Sequence, residues 1–268
     1  MHLFWGFLIA AVVGAAAWKA GALSRSGAAA AAITGGLIFS LGGLAWAALL
    51  LAFFISSSLL SRMFGRRKAE LTEKFSKGSR RDWAQVTANG GLGALFALAW
   101  SLGDQPMWAW AAFAGAMAAV NADTWATELG VLNPDPPRLI TTFKPVERGA
   151  SGGVSPLGSL AAVGGAALIA CLALVFTPGG MDAIQAAFAI LIKITLAGVC
   201  GALVDSLMGA SVQAIYFCPT CNKETERHPL HTCGTNTIHR RGWRWLNNDM
   251  VNFIASLIGA LAAIVLWL

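Results

Sequence analysis

An all-α polytopic membrane protein of about eight transmembrane helices, carrying a small cytoplasmic zinc-ribbon-like insert, is the fold class predicted by this sequence. Three observations predict it. Of 268 residues, 56% are hydrophobic and only 12% are charged, roughly half the charge of a soluble domain. Apolar stretches of bilayer-spanning length recur from end to end. The basic residues are confined to four of the connections between them.

The apolar stretches run Leu3–Ala22, Ala28–Leu60, Trp83–Leu102, Met107–Leu129, Pro156–Phe176, Ala183–Val212 and Leu246–Leu268. Leu3–Ala22 lacks a basic leading region and ends on Trp18 and Lys19, so it reads as a span and not as a cleaved signal. Ala28–Leu60 is too long for one crossing; the pairs Gly35-Gly36 and Gly42-Gly43 offer breaks, and the charge pattern favours the one near Gly42. Splitting there gives eight spans; one long kinked helix would give seven. The small residues within the spans suit close helix approach in lipid.

Charge orients the chain. Eighteen of the 19 Lys and Arg lie in four connections, around residues 19–25, 62–81, 138–148 and 223–244. With eight spans all four fall on one side, and the positive-inside rule makes that side cytoplasmic. Both termini and the turns at Gly103-Asp104 and Gly179–Asp182 then lie outside. Only Lys193 sits inside a span. The pI near 9.4 therefore reports topology, and no nucleic-acid partner is implied. The expected organisation is a single transmembrane domain over 1–268, with the insert at 216–244, in the cell inner membrane.

Polar residues gather at the basic side in five clusters. In NADTWATELG, Asn121, Thr124 and Glu128 share one helical face, with Asp123 and Thr127 beside it. Acids at a helix C-terminus oppose the macrodipole, and a hard cation would offset that cost. Lys144 and Arg148 precede the turn Gly149, Ala150, Ser151, Gly152, Gly153, which leads into a helix start. Such an arrangement suits an anion, although the GKS ending of a Walker A loop is missing. Asp205 near the inner end of the seventh span is an intramembrane carboxylate, functional by default. Asn247, Asn248, Asp249 and Asn252 open the last span, where Asn247 or Asn248 suits an N-cap. Asp123, Glu128, Asp205 and Asp249 are candidate Mg²⁺ ligands, with waters and phosphate oxygens completing the shell.

The fifth cluster is Cys218-Pro-Thr-Cys221 followed by His231-Thr-Cys233. Three thiols and one imidazole suit a closed, structural Zn²⁺ site, with His228 and His239 as alternative ligands. Such a site would pin a ribbon on the cytoplasmic face and would not itself be catalytic.

The strings NADTWATELG, GASGGVS, VDSLMGAS and WLNNDMVN together resemble an integral-membrane family once known only as a domain of unknown function. Its plant member is the phytyl-phosphate kinase of chloroplast tocopherol synthesis. The Cys/His insert resembles the prokaryotic branch. The order of elements is also similar to the phytol and dolichol kinase group, which uses CTP. The resemblance implies an isoprenoid monophosphate acceptor of phytyl, geranylgeranyl or farnesyl type, a nucleoside triphosphate donor such as CTP, and Mg²⁺. Asp123, Asp205 and Lys144 would then be catalytic. Asn121, Thr124, Glu128, Arg148, Gly149, Ser151, Gly152, Gly153, Asn248, Asp249 and Asn252 would bind substrate or nucleotide. The rival expectations are a transporter of an anionic solute and a CTP-dependent lipid nucleotidyltransferase.

Overall fold

The computed structural model describes residues 2–68, 80–178 and 184–267. Eight helices form among them: α1 (His2–Lys19), α2 (Arg25–Gly42), α3 (Leu44–Lys68), α4 (Trp83–Leu102), α5 (Met107–Gly130), α6 (Pro156–Val175), α7 (Ile184–Ser211) and α8 (Asn248–Trp267). The long apolar stretch is divided at Gly43, whose φ of 77° ends α2, as the glycine pair predicts. Lys74, Lys77 and the turn Gly179–Asp182 lie outside the described residues.

α3, α6, α7 and α8 are long and apolar enough to cross a membrane, and Leu3–Lys19 is a shorter apolar helix. The large apolar side chains left exposed, such as Phe4, Leu102, Val175 and Val265, are what a lipid-facing surface requires.

The bundle is built around α5. Every residue from Ala109 to Ala122 is buried, the mark of a helix surrounded on all sides. Its alanines and glycine let the neighbours come close. A Cβ on Gly115 would lie 2.4 Å from the Gly259 carbonyl oxygen of α8, and one on Gly259 would lie 2.7 Å from that of Gly115. Away from the basic loops, Trp46, Trp100, Trp110 and Phe113 pack together, with Trp46 stacked on Phe113 at a 4.4 Å centroid separation.

At the basic end, side chains cap the helix starts. Ser24 accepts from Gly27 N–H, Asp82 forms a capping box with Gln85, Ser155 accepts from Gly158 N–H, and Asn247 accepts from Met250 N–H. Each such cap contributes roughly 0.5–2 kcal/mol.

Two small sheets modify the all-α expectation. In the connection between α5 and α6, β1 (Arg138–Leu139) pairs antiparallel with β2 (Gly153–Val154). This pair was not expected, because two-residue strands carry no periodicity signal. Between α7 and α8, β3 (Ile215–Cys218), β4 (Lys223–Thr225) and β5 (Ile238–Arg241) form a three-stranded sheet ordered β4-β3-β5, which is the ribbon expected of the insert.

Candidate functional site

A cavity of about 380 Å³ lies at the basic end, walled by α3 to α8, the Gly-rich turn and the ribbon. It gathers Asp123, Thr124, Glu128, Arg148, Gly149, Ser151, Gly152, Gly153, Asp205, Asn248 and Asn252. These residues are drawn from four of the five polar clusters in the sequence.

The acids come from separate elements. Asp123 and Glu128 end α5, Asp205 lies near the end of α7, and Glu226 follows β4. The charges of Asp123 and Glu226 both bear on Asp205. Asp205 Oδ2 is buried without a hydrogen-bond partner. Ser61 Oγ donates to Glu128 Oε1 at 2.7 Å. Among the described residues, no three of these carboxylates bring oxygens within 4.8 Å of one another. Hard oxygen donors with room between them fit Mg²⁺, which keeps waters and phosphate oxygens in its shell and seldom uses an all-protein cage.

The cations are anchored. Arg81 donates through Nη1 to Ser58 Oγ at 2.8 Å and through Nη2 to Ser57 Oγ at 3.0 Å. Its guanidinium lies 5.9 Å and 5.8 Å from the Phe53 and Phe54 ring centroids. Burial pulls it below the usual arginine range, and the Glu128 charge partly restores it. Arg148 donates to the carbonyls of Asn133 and Pro134, which fixes the approach to the Gly-rich turn. That turn is itself docked: a Cβ on Gly152, whose φ is 79°, would lie 2.3 Å from the Ala210 nitrogen of α7.

Three expected residues are placed elsewhere. Asn121 is fully buried, donating to the Gly165 carbonyl at 2.8 Å and accepting from Ser56 at 3.1 Å. It ties α5 to α6 and α3 and does not line the cavity. Lys144 is exposed in the 139–144 turn, where its carbonyl accepts from Leu139 N–H, and it too lies off the cavity. Asp249 occupies the first turn of α8, where a carboxylate offsets the helix dipole.

The cavity also holds residues outside the expected set: Ser61, Arg81, Gln85, Asn89 and Glu226. Arg81, Gln85 and Asn89 recur at a spacing of four, a polar stripe entering an otherwise apolar span. Gln85 and Asn89 share one face of α4, and Arg81 lies just ahead of its N-cap, Asp82. The same three residues also line a second cavity, which is apolar. It lies among α1 to α4 beside Val13, Phe39, Leu50, Phe54 and Val86. The two cavities therefore share a wall that holds the half-buried Arg81.

In the ribbon, Cys218, Cys221, His231 and Cys233 present ligand atoms all within 4.8 Å of one another. Hydrogen bonding with Thr235 and His231 pulls the Cys233 thiol down to about 6, whereas the bond between Cys221 and Cys233 pushes Cys221 up to about 11. Three thiols and an imidazole at this spacing could hold a metal ion and are compatible with structural zinc. His228 stacks on Tyr216 at 4.4 Å and His239 packs on the same ring edgewise at 5.6 Å, so neither alternative ligand joins the set.

The fold and the two adjoining cavities define a multi-helix membrane protein with a polar, acid-lined site. The chain belongs to an integral membrane family: the model described as "Integral membrane protein DUF92" matches residues 8–260. Protein PGR of Arabidopsis thaliana is 32% identical, covering 96% of this chain and 93% of the relative. An uncharacterized membrane protein of Methanocaldococcus jannaschii is 30% identical over 100% of this chain and 95% of its own. One from Synechocystis sp. is 31% identical over 84% and 77%. No solved structure matches.

Proposed function

We propose that this protein is a membrane-embedded prenyl-phosphate kinase. It converts an isoprenoid monophosphate of phytyl, geranylgeranyl or farnesyl type to the diphosphate, using a nucleoside triphosphate, CTP in the first instance. The observation that carries the proposal is the wall of Arg81, Gln85 and Asn89 shared by a polar cavity and an apolar one. That shape suits an amphiphile with an anionic head and a hydrocarbon tail.

The acceptor's chain lies in the apolar cavity and its phosphate reaches Arg81. The donor's phosphates lie against Arg148 and the Gly149–Gly153 turn. An anionic oxygen of the monophosphate attacks the terminal phosphorus in line. The bond from that phosphorus to its bridging oxygen breaks, and the nucleoside diphosphate leaves with the electron pair. No side-chain base is needed, since a phosphate monoester is already ionised near neutral pH. Mg²⁺ held by Asp123 and Asp205, with Glu128 nearby, would neutralise charge on the transferring group. Thr124, Asn248 and Asn252 add neutral polar groups to the same wall.

Eight crossings, with the basic end facing the cytoplasm, complete the reading, because that end is where nucleotide is available. The same reading favours an enzyme over a transporter. The polar site is at one end of the bundle, while transport sites sit near the midplane. The Trp46 cluster fills the bundle beyond it. Zinc at Cys218, Cys221, His231 and Cys233 completes the proposed complement.

Turnover by protein in nanodiscs, with Mg²⁺, labelled CTP or ATP and prenyl monophosphates of graded length, tests this. Mg²⁺-dependent prenyl diphosphate is expected. Gly90→Leu, which builds into the apolar cavity, should raise KM for the longest chain most. No diphosphate with any donor, together with solute flux in liposomes, would return the site to a transporter.

A further inference from the structure

The ribbon reaches into the cavity. Glu226 lies five residues after Cys221 and five before His231, on a loop whose two ends the Cys/His cluster ties together. It directly follows β4, where Thr225 is buried and pairs with Tyr216, while Cys218 pairs with Lys223. Gln213, itself buried, donates from Nε2 to Glu226 Oε1 at 2.9 Å. The same amide accepts at Oε1 from Ser151 Oγ of the Gly-rich turn at 2.7 Å. Two fixed points thus hold the Glu226 carboxylate over the cavity: the metal-type cluster through β4, and the phosphate-type turn through Gln213. Across the cavity stands Asp205, whose Oδ2 is buried with no hydrogen-bond partner.

From this geometry we propose that Glu226 is a cation-binding carboxylate of the cavity, and that metal bound by Cys218, Cys221, His231 and Cys233 positions it. The ribbon is then part of the site, in contrast to the remote role its sequence suggests. Loss of the ribbon metal frees the β3–β4 turn and the loop carrying Glu226, and the cavity loses one carboxylate. The inference rests on reading the cavity as a divalent-cation site, but it does not need the prenyl substrate.

The test uses full-length protein in detergent, with Mn²⁺ as probe and electron paramagnetic resonance to count bound ion. Glu226→Gln should weaken Mn²⁺ about tenfold or more at unchanged fold and melting temperature, and Glu226→Asp should recover part of it. Stripping zinc from the wild type should weaken Mn²⁺ by a similar factor, and stripping it from Glu226→Gln should add little. That non-additivity marks groups acting as one unit. Wild-type affinity in Glu226→Gln, alongside loss in Asp205→Asn, overturns the role of Glu226 while leaving the cation site standing. Equal losses on zinc removal in wild type and Glu226→Gln reduce the ribbon to a scaffold. Failure of the wild type to bind Mn²⁺ overturns the cation reading itself.

Discussion

The two ends of the bundle solve opposite problems. Away from the basic loops, two indoles and Phe113 pack around Trp46, and α5 starts after Pro106 with no side-chain cap. At the basic end the helix starts of α2, α4, α6 and α8 are each capped by a side chain. There α5 carries Glu128 in its last turn, where the C-terminal end of the helix dipole opposes a carboxylate, and α7 carries Asp205 near its inner end. The first end spends its residues on packing. The second accepts acids at helix ends and leaves Asp205 Oδ2 buried without a hydrogen bond. Unfavourable polar placement on this scale is a sign of a site and not of a scaffold.

Substitutions at each end sharpen the contrast. Asp205→Asn, at the polar end, should lower kcat by on the order of 10³-fold, as for loss of an electrostatic contact made in the transition state. Its melting temperature should hold or rise, which differential scanning fluorimetry in detergent would check. Trp46→Ala should do the reverse: about 3–5 kcal/mol of stability lost, as for a large core truncation, with kcat of the folded fraction preserved. If Trp46→Ala spared stability and abolished turnover, the division between the ends would collapse.

Arg81→Lys keeps the charge but loses the fork that reaches Ser57 and Ser58 together. A rise in KM for the lipid phosphate of about tenfold is expected, consistent with a charged hydrogen bond worth roughly 1.5 kcal/mol, with kcat less affected. An unchanged KM would remove Arg81 from the junction. Lys144→Ala should change kcat and KM by less than about twofold, as for an exposed side chain away from any special feature. A large loss there would restore the role that its place before the glycine turn suggests.

Much of this was legible in the chain, for identifiable reasons. The helix division at Gly43, the Asn247 cap and the gathering of Cys218, Cys221, His231 and Cys233 follow from local rules: a left-handed glycine, a side-chain acceptor and a thiol spacing. The convergence of Asp123, Asp205, Arg148 and Asn252 followed from charge topology, because all four clusters end at the same side. What was not legible depends on contacts between distant segments. Asn121 looks like a site residue until α6 brings the Gly165 carbonyl to its amide. Lys144 looks like a phosphate ligand until the Leu139–Lys144 turn carries it away. Arg81 counted only as one loop charge among many, although it stands four residues ahead of the polar pair Gln85 and Asn89. Glu226 was hidden because the ribbon's docking through Gln213 joins residues 151 and 226.

Whether the polar and apolar cavities form one amphiphile site is tested most directly by photolabelling. A prenyl monophosphate with a diazirine near the end of its chain would be irradiated with protein in nanodiscs, and adducts located by mass spectrometry. Labels are expected on Val13, Leu50 or Val86 of the apolar cavity, diminished by excess unlabelled prenyl monophosphate and by Arg81→Lys. Labels confined to the outer faces of α6 to α8, insensitive to competitor, would contradict a single site meeting at Arg81.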